Sequence, residues 1–157
     1  MPLNFWQGMK RINQYKKLFG VEGAIDLKEL KTSYRKLVKE WHPDKFQDEA
    51  KKEEAGVESQ KIIDGYHFLV SIAPETIAAN KEEYTKTTTE AQIADHQHKG
   101  LLLEITFTDG TTYEYFGVNR GLYIKFVNAD KQFRFAKRSI FNSFLYRKSK
   151  KDAVVEA

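Results

Sequence analysis

An amphipathic segment that ends at a His-Pro-Asp sequence constrains this chain more than any other feature. Apolar residues recur at steps of three and four along residues 27–41, which predicts one helix with a single buried stripe. The stripe consists of Leu27, Leu30, Tyr34, Leu37, Val38 and Trp41. Asp26 is placed to cap the N-terminus of this helix. Because Pro43 disfavours helical backbone at His42, we expect the helix to end near Trp41.

The polar side of this helix is cationic and leads directly into the His-Pro-Asp turn. It carries Lys28, Lys31, Arg35, Lys36 and Lys39. Such a face attracts an acidic surface on a partner and influences the rate and orientation of encounter. Asp44, at the tip, can form a charge-assisted pair with an arginine of that partner. The alternative is that the basic side chains are merely solvated and that the turn is only a helix stop.

Helical patterns flank this segment on both sides. A first helix ending at Gly20 is indicated by Phe5, Met9, Ile12, Tyr15, Leu18 and Phe19. The inner face of a third helix is formed by Ala55, Ile62, Tyr66 and Leu69. Pro74 ends this third helix and suits the first turn of a short fourth helix that extends to Tyr84. We expect the two long helices to pack against each other as a hairpin, since a tight polar loop joins them.

Together these features resemble a J domain over roughly residues 10–85. The resemblance is carried by Tyr34, Leu37, the basic second helix, His42-Pro43-Asp44, Ile62, Tyr66 and Leu69. It implies binding to a DnaK-type chaperone in its ATP state and stimulation of ATP hydrolysis there. The chaperone-binding residues that it implies are Lys31, Arg35, Lys36, Lys39, His42, Pro43, Asp44 and Lys45. Two positions depart from the family pattern: Ser59 replaces a bulky apolar residue, and Gly65 replaces an alanine, which weakens the helix by up to about 1 kcal/mol.

The sequence period changes from helical to alternating near residue 100. Residues 101–107 alternate apolar and polar side chains and predict a strand, and residues 111–116 predict the returning strand. Asp109-Gly110 between them is a strong turn signal. A short helix is then indicated by Leu122, Tyr123, Phe126 and Val127, and strand spacing by Phe133 and Phe135.

The sequence allows two registers for this hairpin. With Asp109-Gly110 as a two-residue turn, Tyr113 and Tyr115 lie on the polar face, where they could stack on bases. With a three-residue loop and Gly110 in a left-handed bulge, both tyrosines lie in the core. We favour this core register, because burying a large side chain contributes about 1.5–3 kcal/mol. The opposed glutamates that it creates cost less than that.

Residues 98–150 are similar to the KTSC domain, the small module appended to some lysyl-tRNA synthetases. The similarity is carried by Tyr113-Glu114-Tyr115, Gly117-Val118, Tyr123, Ala129, Phe135, Ile140 and Tyr146-Arg147-Lys148. Residues 131–151 carry eight basic residues and no acidic one, with aromatic residues interleaved. Phosphate attraction and base stacking are what single-strand binders use. The candidate RNA-binding residues are therefore Arg134, Lys137, Arg138, Arg147 and Lys148, and the competing interpretation is a small core with a solvated basic rim.

The expected fold class is α+β: an all-α J-domain hairpin followed by a small α+β module built on a β-hairpin. We expect the J domain and its N-terminal helix at residues 1–85, a linker at 86–97, the KTSC-like domain at 98–150 and a disordered tail at 151–157. Lys and Arg balance Asp and Glu over residues 1–90, so the net charge of +4 resides in residues 91–157.

Enzymatic and membrane functions have little support in the sequence. The chain has no cysteine, which excludes disulfides, thiolate nucleophiles and cysteine-based zinc modules. His96 and His98 could be half of a metal site, but we interpret them as a solvated linker end, and we expect no catalytic residue, metal or cofactor. Residues 1–20 lack the apolar run of a signal peptide, and no segment approaches the roughly 18 apolar residues of a membrane span. We therefore expect a soluble, cytoplasmic protein.

The sequence thus predicts a co-chaperone whose J domain stimulates a DnaK-type chaperone and whose C-terminal module recruits a client or tethers the protein. The competing class is an RNA-binding protein that uses the basic aromatic module. The client, the particular chaperone and the oligomeric state are not determined by the sequence.

Overall fold

The computed structural model describes residues 10–149. Residues 11–78 form one compact unit, here called the helical unit, and residues 79–149 form the larger part of a second one, the sheet unit. The predictions for Phe5, Met9 and the tail at 151–157 lie outside the described residues. No helix within residues 10–149 is long and apolar enough to cross a membrane.

The helical unit is a helical hairpin preceded by a short helix. Its elements are α1 (Lys10–Leu18), α2 (Leu27–Trp41), a single 3-10 turn (Pro43–Lys45), α3 (Glu49–Ile72) and the start of α4 (Pro74–Ala79). The predicted end of α2 at Trp41 is confirmed. So is the predicted cap, because an Asp26 carboxylate oxygen accepts hydrogen bonds from the backbone N–H groups of Lys28, at 2.9 Å, and Glu29, at 3.2 Å.

The buried stripes of α2 and α3 meet at the centre of the helical unit. The core consists of Ile12, Phe19, Ile25, Leu30, Ala55, Ile62, Phe68, Leu69 and Ile72. At its edge the rings of Tyr34 and Tyr66 stack with their centroids 4.0 Å apart. The apolar spacing along α2 and α3 therefore predicted the correct faces.

Gly65 on α3 lies against Tyr15 of α1 and the following Phe19. A Cβ atom at this position would stand 2.7 Å from Cδ1 of Tyr15 and 3.1 Å from Cε2 of Phe19. The first distance is shorter than real Cβ contacts and the second is tighter than most, so an alanine would force the ring of Tyr15 to move. Glycine in place of the family's alanine thus permits Tyr15 and Phe19 to pack closely against α3. The cost is the lower helix propensity of glycine that the sequence predicts.

The sheet unit is an α+β module with a four-stranded antiparallel sheet in the order β1-β2-β3-β4. Its elements are α5 (Lys81–Glu90), β1 (Ile93–Lys99), β2 (Leu102–Phe107), β3 (Thr112–Phe116), α6 (Arg120–Val127), α7 (Gln132–Ser139) and β4 (Leu145–Lys148). The predicted α+β class is confirmed. The core of the unit contains Tyr84, Leu103, Ile105, Phe107, Tyr113, Tyr115, Val118, Phe126, Ala136, Ile140 and Phe141.

The linker predicted at residues 86–97 is wrong, because this stretch forms the end of α5 and most of β1. Thr87 and Thr88 are buried in it. The Thr87 hydroxyl donates to Oδ2 of Asp109 at 2.7 Å, and the Thr88 hydroxyl donates to the carbonyl of Tyr84 at 2.9 Å. A polar stretch can be buried when its hydroxyl groups have such partners. The prediction of a single fourth helix is also wrong, because the segment forms two helices, α4 and α5, that are separated at Asn80.

The core register of the β2–β3 hairpin is confirmed. Tyr113 pairs with Ile105, and Tyr115 pairs with Leu103. The turn has the expected left-handed glycine, since Gly110 has φ +93° and its N–H donates to the carbonyl of residue 107 at 3.0 Å. Both tyrosines are consequently buried and do not form an exposed stacking platform.

The strand expected around Phe133 and Phe135 is wrong, because these residues lie in helix α7. Both phenylalanines are half-buried, while Ala136 and Ile140 are fully buried. Phe133, Ala136 and Ile140 follow steps of three and four, which is the helical period. The two-residue spacing of the phenylalanines was therefore a coincidence on an amphipathic helix.

Candidate functional site

The His-Pro-Asp turn is closed by hydrogen bonds among its own residues. The N–H of Lys45 donates to the carbonyl of His42 at 3.0 Å, and the N–H of Phe46 donates to the carbonyl of Pro43 at 3.1 Å. The N–H of Asp44 donates to Nδ1 of His42 at 3.2 Å. Pro43 occupies the first position of the 3-10 turn, where its fixed φ is compatible with the geometry. The turn therefore has a defined backbone shape.

The two polar side chains of this turn are accessible. The side chain of His42 is 52% exposed and that of Asp44 is 91% exposed. Because Nδ1 of His42 accepts the bond from the Asp44 amide, the neutral ring carries its proton on Nε2. Nδ1 also lies 3.6 Å from Oδ2 of Asp44. The turn thus offers a carboxylate acceptor and an imidazole donor to a partner.

Two contacts fix the base of the turn. The rings of Trp41 and Phe46, which flank it, lie with their centroids 6.4 Å apart. The Ser59 hydroxyl on α3 donates to the carbonyl oxygen of Trp41 at 2.7 Å. Ser59 was not among the predicted site residues, although the sequence carries a signal for it. It is a polar residue inside the apolar stripe of α3, between Ala55 and Ile62.

The cationic face of α2 is exposed beside this turn. Lys31, Arg35, Lys36 and Lys39 are all exposed, and no ion pair within residues 10–149 involves any of them. Spacing of four residues places Lys31, Arg35 and Lys39 along one line of the helix. Lys45, also exposed, follows the turn. The residues implied by the J-domain resemblance are therefore all found on α2 and in the turn that follows it.

The basic residues proposed for RNA binding belong to two different elements. Arg134, Lys137 and Arg138 are exposed on one face of α7, and the guanidinium of Arg138 lies 5.6 Å from the ring centroid of Phe135. In β4, Arg147 is only 7% exposed and forms a buried ion pair with Glu114. Its assignment to an RNA-binding surface is therefore wrong, because a buried and paired guanidinium cannot reach a phosphate.

Lys148, the neighbouring RNA-binding candidate, is also engaged within the sheet unit. Its Nζ lies 2.6 Å from Oε1 of Glu83, and both side chains are partly exposed. Lys148 is also close enough to Asp109 to affect the pKa of that carboxyl group. Desolvation would raise the pKa of Asp109, but hydrogen bonds from Thr111 and Thr87, with Lys148, outweigh it and lower the pKa.

Tyr84 of α5 and Tyr115 of β3 form a buried tyrosine cluster. The hydroxyl groups of Tyr84 and Tyr115 are 2.9 Å apart, and the Tyr84 hydroxyl donates to the carbonyl of Phe141 at 2.6 Å. Burial raises the pKa of both Tyr84 and Tyr115, so neither is an acid or base near neutral pH. The cluster is a hydrogen-bonded part of the core.

The interpretation of His96 and His98 as a solvated linker end is wrong. Both side chains are half-buried on β1. Nδ1 of His96 lies 2.8 Å from the hydroxyl of Tyr123, and Nε2 of His98 lies 2.7 Å from the carbonyl oxygen of Val118. Within residues 10–149, no group of three or more histidine and acidic side chains could hold a metal ion. These histidines therefore support the packing of α6 and the preceding loop against β1.

Comparison with known families yields two matches, one in each half of the chain. The DnaJ domain family matches residues 14–72, and the KTSC domain family matches residues 88–144. Both matches agree with the resemblances drawn from the sequence and with their order. The KTSC match begins within α5, ten residues before the boundary expected from the sequence. No curated protein and no solved structure gives a significant match to the chain.

Proposed function

We propose that this chain is a co-chaperone that stimulates ATP hydrolysis by a DnaK-type chaperone. It carries a DnaJ domain at residues 14–72, followed by a KTSC domain at residues 88–144. A DnaJ domain supports a co-chaperone role, and its family is generally not enzymatic itself. The observation that carries the proposal is the exposure of the His42 and Asp44 side chains on a hydrogen-bonded turn that directly follows the cationic helix α2.

The two parts of this surface act at different steps. The charges of Lys31, Arg35, Lys36 and Lys39 attract an acidic surface of the chaperone and orient the encounter. Asp44 then pairs with an arginine of the chaperone through a charge-assisted hydrogen bond. Because the Asp44 side chain is 91% exposed, its carboxylate is accessible to the chaperone without rearrangement of the core. The turn thus contributes to the stimulating contact, and α2 contributes to recruitment.

The sheet unit has a separate role in this proposal, which is to recruit a client protein or to tether the co-chaperone at a location in the cytoplasm. A second candidate function is RNA binding by the same unit. It is favoured by the exposed α7 face formed by Arg134, Lys137 and Arg138, next to the half-buried Phe135. Such a face supplies phosphate contacts without requiring any change in the core.

The central experiment measures steady-state ATP hydrolysis by a DnaK-type chaperone with and without this protein. Asp44→Asn removes the charge and keeps the size of the side chain, and His42→Gln removes the imidazole. We expect both variants to abolish stimulation while the helical circular dichroism is unchanged. Glu53→Gln, which removes an exposed charge on α3, is the matched control and should stimulate like the wild type. Full stimulation by Asp44→Asn would contradict the proposal.

Reversal of charge on α2 tests the recruitment step. We expect the double variant Lys31→Glu, Arg35→Glu to bind the chaperone more weakly, with a smaller dependence on salt, because exposed charges act through a screened field. Reversal of two exposed lysines outside α2, Lys51→Glu and Lys81→Glu, changes the net charge equally and serves as the control. Equal effects of the two double variants would mean that only net charge matters.

RNA binding is tested by titrating the full-length protein with single-stranded RNA at several salt concentrations. If α7 contacts phosphates, the log of affinity falls linearly with log salt, and each lost contact reduces the slope by about 0.7. Replacing Arg134, Lys137 and Arg138 with alanine should therefore flatten this dependence. Absence of binding by the wild type at low salt would exclude this second function.

A further inference from the structure

We infer that Ser59 is a positioning residue for the His-Pro-Asp turn, an inference that rests on the proposed co-chaperone function. Its hydroxyl donates to the carbonyl oxygen of Trp41 at 2.7 Å. Trp41 is the last residue of α2. The last four carbonyl groups of a helix accept no hydrogen bond from within the helix, so they need partners elsewhere. The bond therefore ties the end of α2, immediately before His42, to the middle of α3.

The tie is important because the functional side chains have little packing of their own. Asp44 is 91% exposed at its side chain, and His42 is 52% exposed. Their positions consequently follow the backbone of the turn. The bonds from Lys45 to His42 and from Phe46 to Pro43 fix the shape of that backbone but not its direction relative to α2. The direction is determined where the chain leaves the helix, at the carbonyl group that Ser59 holds.

The surroundings of Ser59 indicate that its hydroxyl is placed for this bond. Its neighbours on the inner stripe of α3, Ala55 and Ile62, are both fully buried, and Ser59 is itself half-buried. A hydroxyl group in such a position destabilises the fold unless it has a partner. The Trp41 carbonyl is that partner, and the Trp41–Phe46 ring contact closes the other side of the turn. The two contacts together hold both ends of the turn.

Loss of this bond should affect the stimulating contact more than recruitment. The exposed cations of α2 lie on the opposite side from the α3 contact, so their attraction for the chaperone is unchanged. A turn that samples a second direction places the Asp44 carboxylate correctly for only part of the time. We therefore expect maximal ATPase stimulation to fall about two- to tenfold, the range that one neutral hydrogen bond supplies. The half-saturating concentration should change little.

Ser59→Val and Ser59→Thr form a matched pair for this test. Both side chains are β-branched and have nearly the same size, but only threonine keeps the hydroxyl group. Each full-length variant is assayed for ATPase stimulation over a range of concentrations and for thermal unfolding. NMR relaxation of the amide groups of His42, Asp44, Lys45 and Phe46 is measured in the absence of the chaperone. We expect reduced maximal stimulation and exchange broadening in the valine variant, and near wild-type behaviour in the threonine variant.

Two results would overturn the inference. One is equal stimulation and equal amide relaxation for the valine and threonine variants. The other is a valine variant whose loss of stimulation is explained by its unfolded fraction at the assay temperature, with unchanged relaxation of the turn. If the wild type itself fails to stimulate a chaperone, the proposed function fails, whereas the NMR comparison still decides whether Ser59 positions the turn.

Discussion

Two glycines of helix α3 should respond in opposite ways to the same substitution. Gly65 faces α1, where an added Cβ would meet Cδ1 of Tyr15 at 2.7 Å and two further ring atoms at 3.1 Å. Gly56 lies on the same helix, and an added Cβ there meets nothing within 4 Å. Gly65→Ala and Gly56→Ala therefore share their effect on helix propensity and differ in their packing.

The expected changes in the free energy of unfolding follow from helix propensity and from packing. Alanine stabilises a helix interior by about 1 kcal/mol relative to glycine, which is the whole expected effect at Gly56. At Gly65 overpacking costs about 1–3 kcal/mol in addition, because the ring of Tyr15 cannot move without disturbing Phe68, whose centroid is 5.4 Å away. The propensity term cancels between the variants. Their free energies of unfolding should therefore differ by about 1–3 kcal/mol, with Gly65→Ala the less stable.

Urea unfolding of the full-length protein can measure this difference. Trp41 lies at the end of α2, so in a Trp6→Phe background its fluorescence follows unfolding of the helical unit. For a unit of this size, 1 kcal/mol corresponds to a change of about 4–8 °C in melting temperature. We expect Gly56→Ala to have a higher urea midpoint and a higher melting temperature than the wild type. Gly65→Ala should have lower values of both. Equal or reversed order of the two variants would refute the steric explanation for glycine at position 65.

Three further changes test the sheet unit. Glu114→Gln removes the carboxylate that pairs with buried Arg147 and should destabilise the unit by about 3–5 kcal/mol. Replacing both residues with apolar ones should restore most of the lost stability. Both effects are measured by urea unfolding followed by tyrosine circular dichroism. Tyr84→Phe removes a hydroxyl with two hydrogen bonds and should cost about 1–3 kcal/mol in the same assay. Asp109 has a lowered pKa, so its stabilising contribution is present above the ordinary carboxyl value of 3.8 and is lost as the pH falls through the lowered value. Asp109→Asn should therefore reduce the loss of stability on acidification, measured as the urea midpoint at several pH values.

The helical unit was predictable because its signals are local. The cap at Asp26 and the stop at Pro43 each depend on residues within one turn of the helix end. The exposed positions of Lys31, Arg35 and Lys39 follow from helical spacing alone once the buried stripe is known. The contact from Ser59 to Trp41 spans 18 residues and depends on how α3 packs on α2, so spacing could suggest an unusual position but not its partner.

The errors in the sheet unit arose where distant contacts decide the structure. Residues 86–97 look like a linker, yet Thr87 is satisfied by Asp109 from the hairpin turn, and His96 by Tyr123 from α6. Side-chain hydroxyl and imidazole groups can be buried once such partners exist, but local sequence does not reveal the partners. The hairpin register, in contrast, was predictable, because it depends on a turn and on the two strands that flank it.

The basic segment at residues 131–151 shows why charge in a sequence does not define a binding surface. The antiparallel pairing of β3 with β4 places Arg147 directly opposite Glu114, inside the unit, while Lys148 pairs with Glu83 from α5. Neutralising the whole segment would therefore break a buried ion pair and unfold the module, and a loss of RNA affinity in such a variant would be uninformative. The exposed α7 cations are the part of the segment that can be changed without this effect. A binding role for the sheet unit must therefore be tested at α7, and its stability at the β3–β4 pair.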